Sequence, residues 1–273
     1  MDINIIKKGI SRRLSGIGVH AKDFSVSSIE IESSNEKIEG YDGYLETGVS
    51  YGSRTILVPF YFQADNMLDF QHKRDDLFGV VMSKEPFHIQ EIRRPEMMKY
   101  QFTDPMDIVA TQADNHEVST KRYKVRLKNM FEIEQSLKYG EGELLFTTID
   151  NPFAESVNVM SRVFKTDNFV FHNGGNIPID MRTQNETEIT FQGASNNLSI
   201  KNITTGDEWT YTGSTTVDDA IKLKGVRSLK NDVSVFKDTN KRLISFAAGN
   251  NKFEIGGATG EFTLGISTRF YFL

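Results

Sequence analysis

Five histidines (His20, His72, His88, His116 and His172) and three sets of neighbouring acids (Asp75 with Asp76, Glu141 with Glu143, Asp218 with Asp219) are the residues whose types could do chemistry. Metal binding by histidine needs nitrogens that converge, as two residues four apart on a helix do. No two of these histidines have that spacing, so each is expected to be an isolated surface or partly buried side chain. His88 alternates with Phe87 and Ile89 and is expected on the polar side of a strand. Glycoside hydrolysis needs two carboxyls facing each other across about 5 to 9.5 Å. Side chains adjacent on a helix diverge by about 100°, which makes Asp75 and Asp76 a solvated face or partners for Lys73 and Arg74. The chain has no Gly-x-Ser-x-Gly elbow and no phosphate loop. Gly16-Ile-Gly-Val-His-Ala21 fits the Gly-x-Gly-x-x-Ala dinucleotide pattern in letters only. A strand-like segment follows it where a helix N-terminus would have to hold the pyrophosphate, so a turn is expected. None of these residues predicts an enzyme, a metal site or a cofactor.

One aromatic pair points to binding rather than catalysis. Trp209, the single tryptophan, alternates with Tyr211 on a predicted strand between Gly206 and Gly213. Sugars stack their C–H faces on exposed rings, so a saccharide contact, if the chain has one, is expected at Trp209 and Tyr211. The other reading puts one ring in the core and leaves its neighbour wet. Asn185-Glu-Thr, Asn197-Leu-Ser and Asn202-Ile-Thr match the glycosylation sequon, but read here as by-products of Asn- and Thr-rich strand ends.

The elements that must position these residues are mostly strands. Ile56, Val58, Phe60 and Phe62 fall on one side of Arg54-Thr-Ile-Leu-Val-Pro-Phe-Tyr-Phe62. Asp65 is expected to cap a helix from Asn66 to Met82, in which Phe70, Leu77, Phe78 and Val81 form the apolar stripe. Glu85-Pro-Phe-His-Ile-Gln-Glu-Ile92, a turn at Arg94-Pro95, and Met98-Lys-Tyr-Gln-Phe102 follow. Before Arg54, alternations such as Phe24 to Ile31 and the glycines at 40, 43, 48 and 52 predict a strand, a turn and a loop. Residues 103–120 lose periodicity and predict a long loop or protruding hairpin. Tyr123, Val125, Leu127, Phe131 and Ile133 predict one strand, and Gly142 to Thr148 another.

Asp150-Asn-Pro-Phe153 breaks the pattern and residues 154–168 are polar and non-periodic, which predicts a linker over 151–168 between domains 1–150 and 169–273. The second domain shows short strands with Gly, Asn and Thr turns and no helix. It ends in the clearest alternation of the chain, with Phe262, Leu264, Ile266, Phe270 and Phe272 on one side. Strands without helical crossovers predict an antiparallel sandwich or jelly roll.

Composition narrows the function classes. The 273 residues carry no cysteine, which removes disulfides and thiolate chemistry. A net charge of -5 and a pI near 5.6 disfavour a general nucleic-acid binder, and suit a surface past which DNA slides without sticking. Mean hydropathy is -0.40, and no apolar run approaches the roughly 20 residues of a membrane span. The first residues lack a signal peptide's apolar core, which predicts synthesis and assembly in a cytoplasm.

The order of these pieces carries more than any one of them. An arginine opening an apolar strand, a helix with Arg74-Asp75-Asp76-Leu77, then Pro86-Phe-His-Ile89, then Pro95 ahead of Tyr100 closely resembles the N-terminal domain of the distal tail proteins of siphophages. Asn173-Gly-Gly with Ile177-Pro-Ile179, the run Ala248 to Gly257, and Arg269 are similar to the C-terminal domain of the same family. The resemblance covers nearly the whole chain, and least well the first fifty residues and residues 103–120. It implies a mostly β protein: an N-terminal β sandwich with one packed helix, then a galectin-like, jelly-roll β sandwich. It implies a structural virion protein, made in a bacterial cytoplasm, whose N-terminal domain closes as a homo-hexamer ring. The ring joins the tail tube to the tail tip as the hub of the baseplate. Implied partners are the tail tube protein, the tape-measure protein and the tail-tip hub or tail-associated lysin. Receptor-binding proteins would hang from the C-terminal domain, and the host would be Gram-positive. The alternatives are a carbohydrate-binding adhesion module acting on host cell-wall saccharides and a wall hydrolase.

Overall fold

The computed structural model describes residues 1–40, 42–93, 119–128, 130–184 and 186–273. The chain divides into two compact units, Met1–Ala154 and Glu155–Leu273. Strands dominate both, and the described residues hold a single α-helix and two short 3-10 turns. The described residues include no helix long and apolar enough to cross a membrane.

In the first unit, β1 (Asp2–Lys7), β2 (Ile10–Arg13), β3 (Val19–Ala21), β4 (Ser25–Val26), β5 (Ile31–Glu36), β6 (Leu45–Tyr51) and β7 (Thr55–Gln63) precede α1 (Met67–Val81). After it come β8 (Phe87–Ile92), β9 (Lys121–Leu127), β10 (Ile133–Ser136) and β11 (Tyr139–Thr148). The main sheet runs β2-β1-β8-β9-β11-β7-β3, with β10 beside β11 and β4 beside β7. Strand β7 lies between β11 on one side and β3 and β4 on the other, and its Ile56, Val58, Phe60 and Phe62 are all fully buried, as their period of two requires. Pro59 stands where β3 (opposite 60–62) gives way to β4 (opposite 56–57), a gap that tolerates its missing N–H.

Helix α1 covers one face of this sheet. Phe70 packs on Phe62 with ring centroids 5.1 Å apart, and Phe78 meets Phe131, which in turn meets Phe60. Two glycines of β11 make room for these rings. A Cβ on Gly140 would lie 2.5 Å from the Phe62 ring, and one on Gly142 would lie 2.9 Å from the Phe60 ring. The helix is capped by Asn66 rather than by Asp65. The Asn66 side chain accepts from the Leu68 and Asp69 N–H groups, while Asp69 accepts from the Asp65 N–H. The extended backbone at Asn66 aims its carboxamide at the first free donors, one position beyond the acid that sequence favoured.

The stretch read as one strand from Tyr123 to Ile133 is broken. Strand β9 stops at Leu127, and β10 starts at Ile133, with Phe131 turned under the helix instead. The turn at Arg94-Pro95, Met98 to Phe102, and all but the last two residues of 103–120 lie outside the described residues.

The second unit is built on two long strands, Glu188–Asn202 and Gly249–Thr268, paired antiparallel along their length. Each bends and serves two layers. The first half of Glu188–Asn202 pairs with Ala220–Lys224, its second half with Asp207–Thr210. Strand Gly249–Thr268 pairs first with Asn168–Asn173 and last with Met160–Phe164. The bends fall at register shifts after Gly193, whose φ is 149°, and beside Gly257, whose φ is 79°. Bulged corners of this kind are how a strand passes from one sheet to the next in a sandwich. Phe191, Ile200, Phe253, Leu264 and Ile266 fill the space between. Within the expected linker, Met160–Phe164 is thus a strand of the second unit's sheet.

The final alternation does not run to the end. After Thr268 the strand breaks and its parity changes, so that Tyr271 is buried while Phe270 and Phe272 are only half-buried. Arg269 causes the break. Its guanidinium pairs with Glu186 and donates to the Ser156 and Val157 carbonyls, and the Phe270 N–H turns to the Ser156 hydroxyl.

Candidate assembly surface

The residues that could do chemistry are held apart. Among the described residues no group of three or more His, Asp and Glu is placed to hold a metal ion. His20 packs against Tyr61 with centroids 5.3 Å apart, and His172 Nδ1 lies 2.8 Å from Asn250 Oδ1. His116 lies outside the described residues. Asp75 pairs with Arg74, and Glu141 pairs with Lys22 at 2.5 Å. Asp219 accepts from the Thr216 backbone N–H (2.8 Å), the Asn231 amide (2.6 Å) and the Lys230 ammonium (3.1 Å). These donors, the Thr216 N–H foremost, hold its carboxyl well below the usual carboxylate range. An acid fixed in its ionised form closes a turn and has no proton to give. Gly16 to Ala21 forms a 3-10 turn, Ser15–Ile17, leading into β3, with Gly18 at φ 72°.

Trp209 and Tyr211 are both core residues, 1 % and 7 % exposed. The Trp209 indole N–H donates to the Ser228 hydroxyl at 3.2 Å, which satisfies its polar edge inside the sheet. Neither ring presents a face on which a sugar could stack. Both alternate inward, and sequence could not separate this from the half-wet arrangement because both partners of the alternation are aromatic.

Buried polar groups of the second unit are likewise spent on its own backbone. Asn173, Asn202 and Asn251 are fully buried. The Asn202 amide donates to the Ser245 carbonyl and to Asn251 Oδ1, and the Asn251 amide donates to the Ala247 and Gly249 carbonyls. Asn173 donates to the Ile177 and Ala247 carbonyls and accepts from the Gly175 N–H. The motifs around Asn173 and Ala248 are therefore loop fasteners, and the Asn202 sequon is inaccessible.

What remains unpartnered lies on the outside. Among the described residues, strands β5 and β6 form a two-stranded sheet that joins no other strand, and only Tyr51 at its end meets another ring, Phe153, edge-on at 5.6 Å. Every described residue of the pair is exposed. Ile31 opposes Tyr51 and Ser33 opposes Val49, so Ile31, Val49 and Tyr51 share one face. Ile31 is 67 % and Val49 59 % exposed, and Tyr44, at 73 %, stands near the tip. Sequence predicts only a strand, a turn and a loop here. The missed signal is the alternation of Val49 and Tyr51 with Gly48 and Ser50, opposite Ile31-Glu-Ser33. A two-stranded ribbon with an apolar face and no sheet beneath it is a surface built to be covered.

The sequence profile of the phage tail protein RIFT-related domain matches residues 12–148, half of the chain and most of the first unit. The chain belongs to the phage tail protein family. The fold of this tail protein is also that of the SPP1 Dit protein (gp 19.1), whose structure is described as a paradigm of the hub adsorption apparatus in phages that infect Gram-positive bacteria. Identity is 13 %, the TM-score is 0.67, and the match covers 98 % of this chain and 99 % of SPP1 Dit. A chain of the phage P2 baseplate, in its calcium-activated conformation, matches with 10 % identity and a TM-score of 0.44, covering 100 % of this tail protein and 99 % of that chain. No curated protein matches the sequence.

Proposed function

We propose that this protein is the distal tail component of a siphophage, a structural hub that closes into a ring of six at the end of the tail tube. The observation that carries the reading is the family match over residues 12–148 within a fold shared end to end with SPP1 Dit. The geometry supports it. The acids and histidines are dispersed or fixed in turns, whereas the apolar hairpin β5–β6 stands uncovered. A closed ring is made head-to-tail, so each subunit must show two different complementary surfaces. The first unit forms the ring, between the tail tube protein above and the tail-tip hub or tail-associated lysin below, with the tape-measure protein inside. The second unit serves as the outer attachment point for receptor-binding proteins. The protein acts in the virion and turns over no substrate; its mechanism is the geometry of the joint.

The test is the mass of the purified chain by light scattering, with negative-stain images of the same peak. A ring of six has a mass of about 186 kDa, six times the 31.0 kDa chain. A monomer at every concentration would refute closure of the ring by this chain alone.

A further inference from the structure

The ring reading leaves open which two surfaces meet, and charge narrows the choice. Two hollows adjoin at Ser83, beside the C-terminal end of α1. One, of about 300 Å³, has Ile5, Val80 and Pro86 in its floor and Lys7, Lys8 and Arg12 around it. The other, of about 480 Å³, lies between Phe78, Met82 and Phe131, with Arg126 and Lys128 at its rim. Five cations thus line a largely apolar surface whose lining includes one carboxylate, Glu85, which pairs with Lys8 at 3.2 Å. Ile10, Met82 and Met130 around it are 63 %, 58 % and 85 % exposed.

Part of this charge answers the chain itself. Lys7 Nζ donates to the Met82 carbonyl at the negative end of α1, and Arg126 donates to the Lys84 carbonyl. Arg12 and Lys128 have no such acceptor among the described residues. Burial, and then repulsion from Arg12, push the Lys7 ammonium below its ordinary value, and an anion arriving here would offset that repulsion.

The hairpin β5–β6 has the opposite character. Between Glu30 and Tyr51 the sequence carries six carboxylates (Glu30, Glu32, Glu36, Glu39, Asp42 and Glu46) and one cation, Lys37. Glu36 and Glu46 stand exposed on neighbouring rungs towards the tip of the ribbon and so point to its opposite faces, Glu46 across from Asn35 in line with Ile31 and Ser33. Its charge and its apolar surface both complement the cation-lined hollows.

We infer that the acidic hairpin β5–β6 of one copy docks on the cation-lined hollows beside Ser83 of the next copy. This assignment rests on the ring reading and names its two unlike faces. Apolar contact holds the joint, and the charges fix its register and exclude hairpin against hairpin.

Two variants test the pairing: Lys8→Glu, Arg12→Glu and Lys128→Glu together, which leave the hollows two cations and four carboxylates, and Glu32→Lys, Glu36→Lys, Glu39→Lys and Glu46→Lys together, which leave the hairpin five cations and two carboxylates. All seven side chains are exposed, so both variants are expected to keep the wild-type circular dichroism and melting temperature. Alone, each opposes like charges at every joint and is expected to assemble at least about tenfold more weakly by mass photometry. Mixed one to one, the two restore every joint if they alternate, which an even ring allows, so rings should return. Wild-type assembly should also weaken as salt rises from about 0.05 to 0.5 M, independently of any variant. Wild-type rings with both variants assembling normally would overturn the pairing and leave the ring reading intact. Loss in both variants without recovery on mixing would overturn it too. A wild-type chain that never assembles would refute closure of the ring by this chain alone, and with it the pairing as the contact that closes it.

Discussion

Replacing Trp209 with alanine separates a core residue from a ligand platform. The side chain is 1 % exposed, and its indole N–H donates to Ser228, itself 3 % exposed. Emptying a buried aromatic site costs about 3–5 kcal/mol, from lost transfer energy and the cavity left behind. Stranding the Ser228 hydroxyl adds about 1 kcal/mol. The expected loss is therefore about 4–6 kcal/mol, which for a unit of this size lowers the melting temperature by roughly 15–25 °C. Trp209→Phe retains most of the ring and should cost about 2 kcal/mol. Calorimetry follows both variants without relying on the only tryptophan, and the shift should fall on the transition of the second unit. Glycan binding by the same samples provides the contrast. A Trp209→Ala chain that melts within about 2 °C of wild type, yet loses a measurable saccharide affinity, would refute the core assignment and restore the adhesion reading.

Asp219 should give a pH-dependent contribution of known sign. Its folded carboxyl lies below its unfolded value, so the stabilisation is complete above about pH 4–5 and fades as pH falls through the ordinary aspartate range near 3.9. Asp219→Asn should therefore lower the melting temperature at pH 7 and differ less from wild type at pH 3; an equal gap at both values would contradict the turn assignment. At the start of α1, Asn66→Ala should cost about 1 kcal/mol in urea unfolding, and Asp65→Ala distinctly less, because the cap is made by the Asn66 carboxamide. The reverse order would place the cap where the sequence first suggested.

Period-two alternation made strand β7 legible, and near-helical spacing made α1 legible, because both elements bury one face against the same sheet. The alternation of 262–266 was legible for the same reason, but its end was not. Arg269 leaves the strand to reach Glu186 and two carbonyls far away in sequence, a tertiary demand no local pattern carries. The cap slipped by one residue because Asp and Asn are near-equal caps and backbone direction decides between them. The hairpin escaped notice because its glycines and serines read as turns. Among the described residues its strands pair only with each other, so no core face disciplines the pattern. At the aromatic pair, composition named the right residue types for a sugar site, and burial then showed that the sheet uses them as core.

The distribution of polar groups favours the proposed assembly role over a cleft. The second unit's buried asparagines are occupied by backbone carbonyls, and Asp219 is fixed in a turn. In the first unit the buried Arg54 guanidinium lies 6.0 Å from the centre of the Tyr123 ring, although its Nε has no hydrogen-bond partner among the described residues. A catalytic protein keeps some of its buried polar groups poised for a substrate, with pKa values displaced toward the working pH. Here the displaced carboxyls, Asp219, Asp180 and Asp23, move away from it; the Arg182 guanidinium holds Asp180, and the Ser25 hydroxyl holds Asp23. Interior chemistry is thus committed to rigidity. The uncommitted features are exposed: an acidic ribbon with apolar side chains, and cations around hollows beside α1. Rigid bodies with unlike, uncovered faces build closed assemblies, and a tail joint needs that more than it needs an active site.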